Sequence, residues 1–120
     1  MAWAAYLPDK CPPDDAQPAV GQVFRLVDGT PSVKDFRSHY ELNPDQTWPD
    51  LCLACGLSVF TDAADAEKIR ARFPALRTRS IAHATLDGTV GVIKPTGKRS
   101  HRTWWLPEDS EPWLAFEVSA

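Results

Sequence analysis

The sequence predicts a single α+β domain over residues 1–120, with a mostly antiparallel sheet, two short helices and an irregular N-terminal arm over 1–20. Three observations carry this. A segment at 62–73 has helical apolar spacing with acids at its start and bases at its end. Apolar residues alternate with period two at 22–27 and again after residue 80. Pro8, Pro12, Pro13 and Pro18 deny the first 20 residues both a helix and a central strand.

Taken in order, Trp3, Tyr6 and Leu7 are expected to pin the arm to the core. The first strand, 22–27, places Val23, Arg25 and Val27 on one face and Phe24 and Leu26 on the other. Asp28-Gly29-Thr30 turns the chain, and Ser32 with Asp35 begins a short helix over 33–40. Residues 43–50 read as loop. The apolar run 51–60, bent at Gly56, reads as a strand. Thr61 is expected to cap the helix 62–73, with Ala63, Ala66, Ile69 and Phe73 inward and Pro74 ending it. Strands then follow at 80–86, 90–94, 101–106 and 113–118, with Asp87-Gly88 as a turn and Leu114, Phe116 and Val118 inward.

The net charge of −3 conceals an asymmetry. Residues 68–102 hold nine of the thirteen basic side chains against one acid, Asp87, a local charge of +8 that leaves −11 elsewhere. Such a distribution bears on partners rather than on fold. No apolar run approaches the roughly 20 residues of a membrane span, so no membrane partner is expected. The first residues lack a basic and apolar leader pattern, and three cysteines are an odd number. A reducing, cytoplasmic setting is the resulting expectation.

Cys52-Leu53-Ala54-Cys55-Gly56 has the spacing of a zinc knuckle, but the second ligand pair is missing. Cys52 and Cys55 are therefore expected to be buried thiols, and no metal or other cofactor is expected. The loop and strand carrying Lys94, Thr96, Lys98, Arg99, His101, Arg102, Thr103 and Trp104 have the best anion-site composition in the chain. Cations beside aromatic planes suit a phosphate with an attached base. His83-Ala84-Thr85 and His101-Arg102-Thr103 repeat an H-x-T pattern, resembling the two-histidine phosphoesterases, in which two imidazoles flank a phosphate.

Two further resemblances concern the chain as a whole. Phe24-Arg25-Leu26-Val27, Cys55-Gly56-Leu57-Ser58-Val59-Phe60 and His101-Arg102-Thr103-Trp104-Trp105 resemble a family of small bacterial proteins that implies no activity. Arg25 on a first strand, and Ser58-Val59-Phe60-Thr61-Asp62 running into a capped helix, are distantly similar to the ADP-ribosyltransferase core. That likeness implies NAD, with Arg25 on its phosphates or ribose and a late glutamate, Glu108, Glu111 or Glu117, on the nicotinamide ribose.

No complete catalytic set is present, and whether the protein is an enzyme stays open at this stage. The preferred expectation is a binding or accessory module that meets a phosphate-bearing ligand or anionic partner through the basic C-terminal hairpin. One alternative is a nucleotide- or NAD-processing enzyme with Arg25, Ser58, His83 and His101 converging on a pocket. The other is an immunity- or antitoxin-type protein using its acidic remainder against a protein partner.

Overall fold

Alternation of small and branched apolar residues builds a ring of strands in this computed structural model, which describes residues 2–118. Strand β1 (Gln17–Val27) pairs antiparallel with β2 (Leu57–Phe60) and with the long β3 (Ser80–Pro95). Strand β4 (His101–Trp105) lies between β2 and β3 and closes a small barrel, to which β5 (Glu117–Val118) adds at the edge of β3. Val23, Val27, Leu57, Val59, Ala82, Ala84, Leu86 and Trp104 fill the interior, and Phe36 and Phe116 pack onto them. Alternation puts Phe24, Leu26, Phe60 and Ile81 on the outer face, where a helix covers them.

That helix is α3 (Ala63–Arg72), following the short helices α1 (His39–Leu42) and α2 (Leu51–Ala54). Its cap is Asp62 rather than Thr61: the Asp62 carboxylate accepts from the Ala64 amide at 2.9 Å. Ala66 is fully buried, while Ala63 and Ile69 are half-buried. Phe73, expected inward, is 45% exposed and lies under Arg72 instead. Ile69→Ala is accordingly expected to cost only about 1–2 kcal/mol, below the range for a fully buried isoleucine. Urea unfolding measures it.

Several boundaries differ from the sequence reading. The expected helix 33–40 is two pieces, a 3-10 turn (Val33–Phe36) and α1. The expected strand 51–60 begins as α2, because the Asp50 carboxylate caps the Leu53 amide at 3.2 Å. The Asp87-Gly88 turn is absent and β3 runs through it. Gly88 and Gly91, at φ of +90° and +81°, let the strand bend without breaking. At the C-terminus a 3-10 turn (Pro112–Leu114) precedes β5, so only Phe116 of the expected inward set is buried, with Leu114 73% exposed.

Residues 2–16 contain neither helix nor strand, and β1 begins inside the expected arm, at Gln17. Tyr6 stacks on Tyr40 at 4.9 Å, and the Glu108 amide donates to the Ala2 carbonyl at 2.8 Å. The strongest tie corrects an expectation: Cys52 is not a free thiol but forms a disulfide with Cys11, 41 residues away in sequence. Cys55 is the remaining thiol, buried, and burial pushes its pKa up, so it stays protonated and unreactive. The cysteine count therefore lends no support to a reducing compartment. Among the described residues no cluster of three or more His, Cys, Asp or Glu is placed to hold a metal ion, and no helix is long and apolar enough to cross a membrane. Alkylation of the denatured chain without reductant is expected to modify one of its three cysteines, and all three after reduction. Mass spectrometry reads the difference, and three modifications without reductant would refute the bridge.

Candidate anion-binding cleft

The loop 96–100 joins β3 to β4, and its shape is set by left-handed residues at Gly97 and Arg99, with φ of +65° and +56°. Its base is fixed by hydroxyls. Thr96 Oγ1 lies 2.8 Å from Thr103 Oγ1 and 3.0 Å from His101 Nδ1. The His101 ring stands edge-on to Phe60, with centroids 5.4 Å apart. Nδ1 is occupied by Thr96, and the other ring nitrogen, Nε2, has no hydrogen-bond partner among the described residues.

Ser100 then sews the loop to α3. Its carbonyl accepts from the Thr61 amide at 3.2 Å and its Oγ from the Asp62 amide at 3.1 Å. Its own amide donates to Asp65 Oδ2 at 3.1 Å. Hydrogen bonding to Ser100, helped by the nearby charges of Arg99 and Lys68 and opposed by desolvation, holds the Asp65 carboxyl below its ordinary value. A carboxyl depressed in the fold supplies stability above the unfolded pKa and loses it as pH falls through the folded value. The Ser100 amide resonance is therefore expected to titrate in acid with a midpoint below the ordinary aspartate value. A midpoint at or above the ordinary carboxylate value would mean that this link is not made.

The stitching turns two basic segments toward each other. A cleft of about 460 Å³ opens between them, floored by Phe60, Ile69 and His101 and rimmed by Lys68 and Arg72 from α3 and Lys98 and Arg99 from the loop. Its volume is in the range of small-ligand sites. Lys68 and Arg72 are four apart on one helix face, a like-charge spacing that costs a few tenths of a kcal/mol unless an anion offsets it. None of the four makes an ion pair among the described residues. The one acid lining the cleft, Asp65, already has an oxygen committed to Ser100.

Of the ligand-contact residues read from the sequence, Lys98, Arg99 and His101 line this cleft and the others do not. Lys94 pairs with Asp15 at 3.0 Å. Thr96 and Thr103 hold each other, and Thr103 is buried. Arg102 Nη1 turns back to the His101 and Arg99 carbonyls. Trp104 offers no stacking surface, being 1% exposed in the barrel with its indole donating to the Val90 carbonyl at 2.8 Å. Lys68, Arg72, Phe60 and Ile69 were not singled out for the site. The signal for the first two was available, since the basic stretch begins at Lys68.

The four catalytic candidates do not converge. His83, Phe24, Phe60 and His101 form one cross-strand row on the outer face, so two rings separate the imidazoles. Three strand spacings put them about 14 Å apart along the sheet. Arg25 and Ser58 do meet, Arg25 Nη1 donating to the Ser58 carbonyl at 2.6 Å, but they line a different cavity. No family model, curated protein or solved structure matches the chain.

Proposed function

We propose that the protein is a small binding module that holds a phosphate-bearing ligand in the cleft between the 96–100 loop and α3. The observation that carries this reading is the convergence of four cations, none in an ion pair among the described residues and with one acid, Asp65, among them, from two separate elements on one cleft with an apolar floor. Lys98, Arg99, Lys68 and Arg72 face the phosphate, and Phe60 and Ile69 support an attached apolar or aromatic group. Charge-assisted hydrogen bonds from such side chains are the strong ones. His101 Nε2 adds a donor when the ring is protonated or carries its proton on that nitrogen. The reading is of a binding rather than a catalytic module, supported by the dispersal of Arg25, Ser58, His83 and His101.

A thermal-shift panel of AMP, adenosine, inorganic phosphate and a short single-stranded oligonucleotide tests it at low and moderate salt. A ligand that binds only the folded state raises stability by about 2.7 kcal/mol at one hundred times Kd. AMP is expected to stabilise more than adenosine or phosphate alone, with little salt dependence. An oligonucleotide that binds more tightly, with steep salt dependence, would mark a polyanion track instead. Absence of any shift at low salt would refute the reading.

A further inference from the structure

A second cavity, of about 380 Å³, lies where β1 and β2 meet the 3-10 turn Val33–Phe36 and α1, and it shares no lining residue with the basic cleft. Arg25 reaches it from the inner face of β1. Its strand partner is the small Ala82, and the half-buried side chain sets its guanidinium 5.4 Å over the Phe36 ring. Nε donates to the Asp35 carbonyl at 2.9 Å and Nη1 to the Ser58 carbonyl at 2.6 Å. Nη2 has no partner among the described residues, yet it is not sealed off: the only fully buried polar side-chain atom lacking a partner there is Trp48 Nε1.

Two carbonyls orient the guanidinium without neutralising it, and a cation withdrawn even partly from water gains from an anionic partner. Burial pulls the Arg25 pKa down to about 10, with Asp35 opposing the shift and Arg79 adding to it, so the group stays charged at neutral pH. Asp35 does not neutralise it alone. Its carboxylate accepts from the Asp28 amide at 2.9 Å and the Ser32 amide at 3.0 Å, and it also faces Arg79 at 4.0 Å. Lys34 is paired with Asp28 at 3.6 Å, while Arg37, also lining the cavity, makes no ion pair among the described residues. Four fixed cations thus share the cavity with two acids.

We propose that this cavity is a binding site for a small oxyanion, the carboxylate or phosphate group of a compact molecule, taken by the open edge of Arg25 together with Arg79 and Arg37. A guanidinium fork matches the two oxygens of either group. Leu42, Leu57 and Leu76 form an apolar wall for a short carbon skeleton.

The test uses the full chain in sodium phosphate and in sodium succinate, each against sodium chloride at equal ionic strength. At least one oxyanion is expected to raise Tm saturably and to shift the Arg25 Nε–H resonance. The one that saturates at lower concentration identifies the phosphate or carboxylate source. Arg25 ties two segments of backbone, so the diagnostic variants are Arg37→Gln and Arg79→Gln, singly and together. The pair is expected to weaken binding at least tenfold, and Arg37→Gln, at an exposed position, reports even where the double variant is unstable. Lys98→Ala with Arg99→Asn is expected to leave the anion-induced shift of the Arg25 Nε–H resonance unchanged, and that resonance is the effect scored in every variant. No saturable effect of either anion, an undiminished effect in the Arg37 and Arg79 variants, or loss of the effect in the Lys98 and Arg99 variant would each overturn the proposal. The last of these would place the anion in the basic cleft.

Discussion

Trp104→Ala is expected to remove about 3–5 kcal/mol of stability, the range for deleting a large aromatic from a core. Trp104 is 1% exposed, stands opposite both Leu57 and Ile93, and touches Phe116 at a centroid distance of 6.0 Å. Its loss also leaves the Val90 carbonyl without its donor, roughly another 1 kcal/mol. A domain of this size has about 5–15 kcal/mol in total, so thermal unfolding should move down by on the order of 10–20 °C. Trp104→Phe should recover part of the loss by refilling the space, but not the hydrogen bond. Calorimetry decides between this role and a ligand-facing one. A variant that keeps wild-type stability while losing ligand would place the ring outside the barrel.

The largest functional effect is expected from the rim of the cleft. Replacing Lys98 with Ala and Arg99 with Asn should weaken binding of a phosphate-bearing ligand about 10- to 100-fold, as two charge-assisted contacts at a solvated site would. Asn is chosen at residue 99 because it tolerates the left-handed backbone there better than Ala. Adding Lys68→Ala and Arg72→Ala should abolish measurable binding. Stability should change by no more than about 0.5 kcal/mol per surface substitution. Calorimetric titration and urea unfolding on the same proteins separate the two effects. Equal binding by wild type and the four-residue variant would make the cluster an ordinary solvated surface.

How much of this was legible in the chain depends on the range of the forces involved. Helix α3 was readable because its signals are local: Asp62 at the start, Arg70 and Arg72 at the end, and Pro74 beyond. The start of α2 was not. Cys52 and Leu53 look like strand in an apolar run, yet Cys52 is held by Cys11 through the disulfide and by the Trp105 indole, which donates to its carbonyl at 2.9 Å. Those partners lie 41 and 53 residues away. At Asp87-Gly88 a local turn signal was present but lost to pairing with β1 on both sides of it, eight pairs up to Asp87 and two beyond, with a register shift between them. Thr89 instead closes a small loop onto the Asp87 carboxylate within the strand.

The site shows the same division. The basic composition of the loop was plain, and the start of α3 was read to within one residue, its cap being Asp62 and not Thr61. What could not be read is that Ser100 binds Thr61, Asp62 and Asp65 and so brings the two basic segments into one cleft. The tryptophans illustrate the opposite error. An aromatic pair next to a basic loop has the same sequence signature whether it faces ligand or core. Burial settles it physically: Trp104 and Trp105 are each 1% exposed, and a Cβ at Gly56 would come within 3.3 Å of the Trp105 indole.

Backbone amide NMR during titration of the full chain with AMP tests the central claim most directly. Binding in the cleft is expected to move resonances of the 97–101 segment and of Lys68 and Arg72 together, on a single saturable curve. Saturable shifts confined to any other surface, or no shift at millimolar AMP and low salt, would contradict a phosphate site built jointly by the loop and α3.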